Sequence, residues 1–310
     1  MAQKLLDGVS IEASCLKLQA IIDDASEKMS FTPKGPMLVG WMRLYTDAVI
    51  LRSLADVNVT TAIHSLETLD RAIIICGLAG GRLDMVLSLI TAIQRHYFSA
   101  PSLAFSCRVV SKPLRREIRL PSSHHKIPFL SESPSIITFQ SKLADRPFII
   151  RGHAQDWPAM REHPWWSAAY LRFASGPGRV VPVEVGKDYR TDEWAQMLMP
   201  WDKFLLTLDL ADQVPPQKST NCYYLAQHNL LMQFPSLRND IIIPDYVYVS
   251  TTSRDFPLYR PPGNDDQLLL NTWMGPGGTM SPAHTVCFSS SYGVYSSDHR
   301  NLGSLLQCLR

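Results

Sequence analysis

Residues 268–285, LLLNTWMGPGGTMSPAHT, decide the fold class of this 310-residue chain. Leu268-Leu269-Leu270 is an apolar run of strand length. Gly275-Pro276-Gly277-Gly278 has the residue chemistry of a tight turn between two strands. Past that turn come Ser281 and His284, a hydroxyl and an imidazole three residues apart, and then Thr285 and Val286.

The same texture extends toward the N-terminus as far as about residue 127. Ile136–Phe139, Phe148–Ile150, Val180–Val185 and Tyr246–Val249 are short, apolar and bounded by Pro, Gly or Asp, and each predicts a strand. Helices are predicted over Trp165–Ala174 and Thr191–Leu210. These elements describe an α+β domain, or an all-β one with decorating helices.

Residues 1–106 read as helical. Ile11, Cys15, Leu18 and Ile22 form one helix stripe, and Leu38, Trp41, Met42, Tyr45 and Val49 form a second after the Pro33…Pro36 break. Ile63, Leu66, Ile73 and Ile74 mark a third helix. Leu83, Val86, Leu87, Ile90 and Ile93 mark a fourth, set off by Gly80-Gly81. Such stripes are core positions first, so this part reads as a bundle serving as scaffold or partner-docking surface. Between the two regions, residues 107–126 (CRVVSKPLRREIRLPSSHHK) set six Lys/Arg against the single acid Glu117. That run is either a solvated linker or a basic targeting or phosphate-binding patch.

Composition narrows the function classes. Charged residues are 19% and hydrophobic residues 45%, a globular balance, and the formal charge of +2 does not imply nucleic-acid binding by the whole surface. The six cysteines include no C-x-x-C pair, which argues against a disulfide framework or a cysteine zinc site. MAQKLLDGVSIE has no apolar core of signal-peptide length, and Ile73–Gly81 is too short to span a bilayer. G-x-G-x-x-G, Walker, H-E-x-x-H and G-x-S-x-G motifs do not occur.

RPFIIRGHAQDW (146–157), Trp165-Trp166, Tyr170-Leu171, VPVEVG (181–186), DEWAQMLM (192–199), YYLAQHNL (223–230), IPDY (243–246) and LLLNTWMGPGGTMSPAHT follow one another in a specific order. Over residues 127–284 this series resembles the N-terminal half of a jumonji-C (JmjC) oxygenase. The subgroup it is most similar to is that of lysine-specific demethylase 8, also described as an arginyl hydroxylase. The resemblance implies the N-terminal part of a cupin-type double-stranded β-helix that holds Fe(II) and 2-oxoglutarate. It also implies oxidation of lysine or arginine side chains on histones or other proteins. His284 matches the first iron ligand, Ser281 and Tyr224 match contacts to 2-oxoglutarate, and Trp273 matches an aromatic wall. Glu184 and Trp194 match positions that engage a cationic side chain, with core packing as the other reading of both Trp194 and Trp273. Tyr223 falls on the face opposite Tyr224 and is expected to be structural.

The chain departs from the family pattern after His284. The H-x-D acid is replaced by Val286, and the following residues match no further strand series. The expectation is therefore an incomplete barrel: a helical domain (1–106), a basic linker (107–126), a JmjC/cupin-like portion (127–284) and a disordered tail (285–310). The distal His and most barrel strands are expected to be missing, leaving a truncated, inactive chain that does not stably bind Fe(II) or 2-oxoglutarate. Every valine codon begins GT, the dinucleotide of an intron donor, so divergence at Val286 fits a retained intron. The alternative function is a non-catalytic interaction protein that docks partners through its helical domain. No direct nucleic-acid or membrane contact is expected, and the resemblance with the basic run points to the nucleus, then the cytoplasm.

Overall fold

The computed structural model describes residues 10–98, 127–143, 147–186, 194–213, 222–248, 268–276, 279, 291–298 and 302–309, the last two ranges as backbone only. It is a mixed α+β chain, a helical region followed by an open β-sheet, with no closed barrel among the described residues. Compact packing divides it into two units. The first comprises residues 1–106, 175–182 and 198–203, and the second holds the rest.

Four helices build the first unit: α1 (Ile11–Phe31), α2 (Pro36–Asp56), α3 (Ala62–Cys76) and α4 (Leu83–Tyr97). Ser10 caps α1 by accepting the Ala13 N–H, and Pro36 opens α2, where its missing N–H costs nothing. The predicted stripes are largely the buried ones: Cys15, Leu18 and Ile22 on α1, Tyr45 and Val49 on α2, Leu66 and Ile73 on α3, and Val86, Ile90 and Ile93 on α4. Ile11 and Ile63 are exposed instead. Before α4 the chain turns through Gly81 at φ +69, a left-handed conformation that a Cβ would strain.

Segment 175–182 belongs with these helices, although the sequence places it in the second domain. Its Arg179 forms a fork with Asp70 of α3, with Nε at 3.1 and 2.9 Å and Nη2 at 2.6 Å from the two carboxylate oxygens. The Val180 N–H adds a fourth bond to the same carboxylate at 2.9 Å.

In the second unit, β1 (Phe129–Leu130) and β2 (Ile149–Ile150) form a small parallel pair. Helix α5 (Ala168–Ser175) starts at Asp212, whose carboxylate accepts the Ala168 and Ala169 N–H groups and the Ser167 hydroxyl. The main sheet contains β3 (Val180–Val185), β4 (Ala195–Pro200), β5 (Tyr223–His228), β6 (Leu269–Pro276), β7 (Ser291–Asp298) and β8 (Leu302–Leu309), in the order β4-β3-β5-β6-β8-β7, with residues 180–182 of β3 and 198–200 of β4 counted in the first unit. Phe204, Leu205, Leu208, Leu225, Leu230, Phe234 and Met274 are fully or almost fully buried and make up its core.

Four expectations need correction. Ile136–Thr138 is a helical turn, because Ser135 caps it by accepting the Thr138 N–H at 3.2 Å. Asp245–Tyr248 is a 3-10 turn closed by Val247 N–H on the Pro244 carbonyl. The helix predicted over 191–210 is strand β4 followed by helix α6 (Trp201–Leu206), since a proline at 200 disfavours helical backbone at Met199. Finally, the tail expected to be disordered contains the β7/β8 hairpin, with β8 paired antiparallel to β6 along its whole length. LGSLLQCL supplies the ladder partner on the side of β6 away from β5, and SYGVYSSD pairs with β8 in turn.

Candidate functional site

The sheet register brings three of the predicted residues onto one face. Glu184 on β3 lies directly opposite Tyr224 on β5, and Val185 lies opposite Tyr223, so Tyr223 projects to the other face. On the far side of β5, Leu225 pairs with Met274 of β6, which puts Gly275 opposite Tyr224. One rung across three strands is therefore Glu184, Tyr224 and Gly275. Trp273 sits two residues along β6 on the same face as Gly275. Glu184, Tyr224 and Trp273 are each half-buried, whereas Leu225 and Met274 on the opposite face are fully buried. One face thus carries the core, and the other presents a carboxylate, a phenol and an indole.

Between Leu225 and His228 the β5/β6 register slips, and Gln227 takes φ +51, the one non-glycine residue of positive φ among those described. This bulge bends β5 just past Tyr224 and sends His228 to pair with Thr272. His228 is buried, and one ring nitrogen lies 2.7 Å from Gln233 Oε1.

The other predicted residues are placed differently. Trp194 precedes the edge strand β4, with β3 between it and Tyr224, so it does not share their rung. Its indole N–H is buried with no hydrogen-bond partner among the described residues. Ser281 and His284 lie outside the described residues. Among the described residues, no group of three or more His, Cys, Asp or Glu could hold a metal ion. No helix searched is long and apolar enough to cross a membrane.

Two features of the site had no distinct signal in the sequence. Gly275 reads there only as the first residue of a glycine-rich turn, and Thr279 as nothing in particular. In the structure the Thr279 N–H and hydroxyl both donate to the Pro276 carbonyl, at 3.1 and 2.7 Å, which closes the turn beside Tyr224. Thr279 Oγ1 also lies 3.6 Å from Cys222 Sγ.

Comparison with known proteins places these features in a family. Residues 139–295 match the cupin-like domain, a span that runs past residue 284, where the resemblance read from the sequence ends. The chain is 30% identical over 294 residues to Lysine-specific demethylase 8 of Danio rerio, an alignment covering 90% of this chain and 67% of that protein. Jumonji C domain-containing protein 5 of Drosophila melanogaster is 38% identical over 53% of this chain and 37% of its own length. Lysine-specific demethylase JMJ30 of Arabidopsis thaliana is 37% identical over 46% of this chain and 28% of its own. The chain thus spans two thirds of the zebrafish relative but well under half of the other two.

Proposed function

The chain belongs to the cupin-like JmjC oxygenase family, and from that membership we propose a protein that keeps part of the family's binding face without its oxidation chemistry. The observation that carries this is Val286. It stands two residues after His284, where the H-x-D motif supplies the iron-binding carboxylate, and an isopropyl group has no donor atom. The donor set does not fit Fe(II), so no oxidative step is assigned to this chain.

What the chain retains supports binding. The Tyr224 hydroxyl, with Ser281, is suited to a carboxylate of 2-oxoglutarate. Glu184, and Trp194 by its ring face, are suited to the cationic end of a lysine or arginine side chain. Two of the relatives are named as lysine-specific demethylases, which favours a histone or other protein as the partner, met in the nucleus or the cytoplasm.

Incubating the purified chain with Fe(II), 2-oxoglutarate and a histone peptide tests the proposal. The expected result is succinate at the level of a protein-free control, and no iron retained after desalting. Stoichiometric iron together with turnover above that control would refute it.

A further inference from the structure

We propose that Ser133 is a phosphorylation site for a proline-directed serine/threonine kinase, with His153 holding the phosphate it receives. Such kinases need a hydroxyl residue followed at once by proline, and the chain has three such pairs: Thr32-Pro33, Ser133-Pro134 and Ser281-Pro282. The structure separates the two that lie among the described residues. Thr32 follows the last residue of α1 and donates its hydroxyl to the Lys28 carbonyl at 2.6 Å. A phosphate dianion there could not donate that bond and would sit at the negative end of the helix.

Ser133 has the opposite setting. It is exposed, and its Oγ lies 3.0 Å from His153 Nδ1. The contact continues the parallel register of β1 and β2: Phe129 faces Ile149 and Leu130 faces Ile150, so position 133 comes level with position 153. The Arg151 N–H donates to the Leu130 carbonyl at 3.0 Å, and its guanidinium lies 4.4 Å from the centre of the Phe129 ring, a fixed positive charge on the β1 side. Asp156, the acid nearest His153 in the sequence, is paired with Arg161. Glu132 beside Ser133 is exposed, where water screens its charge. Directly after the acceptor, the Pro134 carbonyl accepts the Tyr246 hydroxyl, which holds the segment in place.

In the transfer, the γ-phosphoryl group of ATP passes to Ser133 Oγ. The bond from phosphorus to the ADP oxygen breaks, the bond from phosphorus to Oγ forms, and the hydroxyl proton is released. A group of about −2 charge then stands where a neutral hydroxyl met the ring nitrogen. In the unmodified chain burial lowers the pKa of His153 and favours the neutral ring. The phosphate favours the imidazolium instead, whose N–H donates a charge-assisted bond to it.

The full chain is treated with ATP and a proline-directed kinase chosen for its activity on a peptide of residues 127–140, and the modified positions are mapped by tandem mass spectrometry. Ser133 should be modified and Thr32 left alone. By proton NMR the titration midpoint of the His153 ring, assigned by its loss in His153→Gln, should rise by about one pH unit on phosphorylation. By phosphorus NMR the phosphate on Ser133 should lose its second proton below about pH 6, and return to about 6 in His153→Gln. Kinase treatment of Ser133→Ala should change neither signal. If His153→Gln does not fold, the wild-type titrations with and without phosphate decide alone. A folded chain left unmodified at Ser133 under conditions that modify the peptide overturns the proposal. So does preferential modification of Thr32, or a phosphorylated chain whose His153 midpoint does not rise.

Discussion

Replacing Asp70 by alanine should cost the first unit more than any other single polar change within it. Asp70 is fully buried at 0% exposure and Arg179 at 5%, so neither can turn to water when its partner is lost. One carboxylate receives three Arg179 contacts between 2.6 and 3.1 Å and the Val180 N–H at 2.9 Å. Truncation takes the carboxylate away from the Nε and Nη2 of a buried guanidinium and from a backbone donor, while Nη1 keeps the Ser175 carbonyl at 3.2 Å. Breaking a buried pair in this way costs about 3–5 kcal/mol. Alanine is the better helix former, so the helix itself offsets only about half a kcal/mol of that. With a urea slope of about 2 kcal/mol/M, a loss near 4 kcal/mol lowers the denaturation midpoint by about 2 M. Circular dichroism at 222 nm follows the helices of this unit, and the loss should persist in high salt, since a buried pair is poorly screened. The double variant Asp70→Leu/Arg179→Met should recover most of the loss, because it removes both charges together. A cost for Asp70→Ala below about 1 kcal/mol, the range of an exposed pair, would refute the reasoning. So would a double variant as unstable as the single.

Asp240 offers a parallel case in the second unit: its buried carboxylate lies 2.7 Å from His163 Nδ1 and accepts the Trp165 indole N–H at 2.9 Å and the Tyr170 hydroxyl at 2.5 Å. Asp240→Asn turns one acceptor oxygen into a donor and should cost about 3 kcal/mol, read by thermal unfolding with a shift in tryptophan emission. Tyr45 makes stability fall at alkaline pH, since burial pushes its phenol up to about 12 from an unfolded value of about 10. The unfolded chain then gives up its proton first, so stability is intact below pH 10 and declines through pH 12 by about 2 kcal/mol, a decline that Tyr45→Phe should lessen in urea titrations at stepped pH.

The elements that were legible in the sequence are those with local causes. The four N-terminal helices follow from apolar stripes and a capping serine, and β3 and β6 from β-branched or leucine runs next to turn chemistry. The failures also have physical causes. Ile136–Phe139 looks like a strand by composition, but one Ser135 cap bond decides for a helical turn. The Asp70–Arg179 pair joins residues 109 positions apart, and an aspartate inside a helix gives no hint of what will neutralise it. Of the site, motif order located Glu184, Tyr224 and Trp273, and the register then showed that they share a face. The close approach of Gly275 to the Tyr224 ring was invisible, because it exists only once a ring from another strand lies against it.

That distinction bears on what Val286 removes. In a site where the metal itself gathers the ligands, losing the acid would release the surrounding side chains as well. The rung of Glu184, Tyr224 and Gly275 has other supports: antiparallel pairing of β3, β5 and β6, a bulge at Gln227, and a turn closed by Thr279. All of these supports lie among the described residues, which do not include 284 or 286. The expectation is that this rung keeps its geometry whatever residue stands at 286. Val286→Asp should therefore leave the fluorine resonance of Tyr224 unmoved in a chain labelled with 3-fluorotyrosine. If Val286→Asp moved that resonance in the absence of added metal, the expectation would fail.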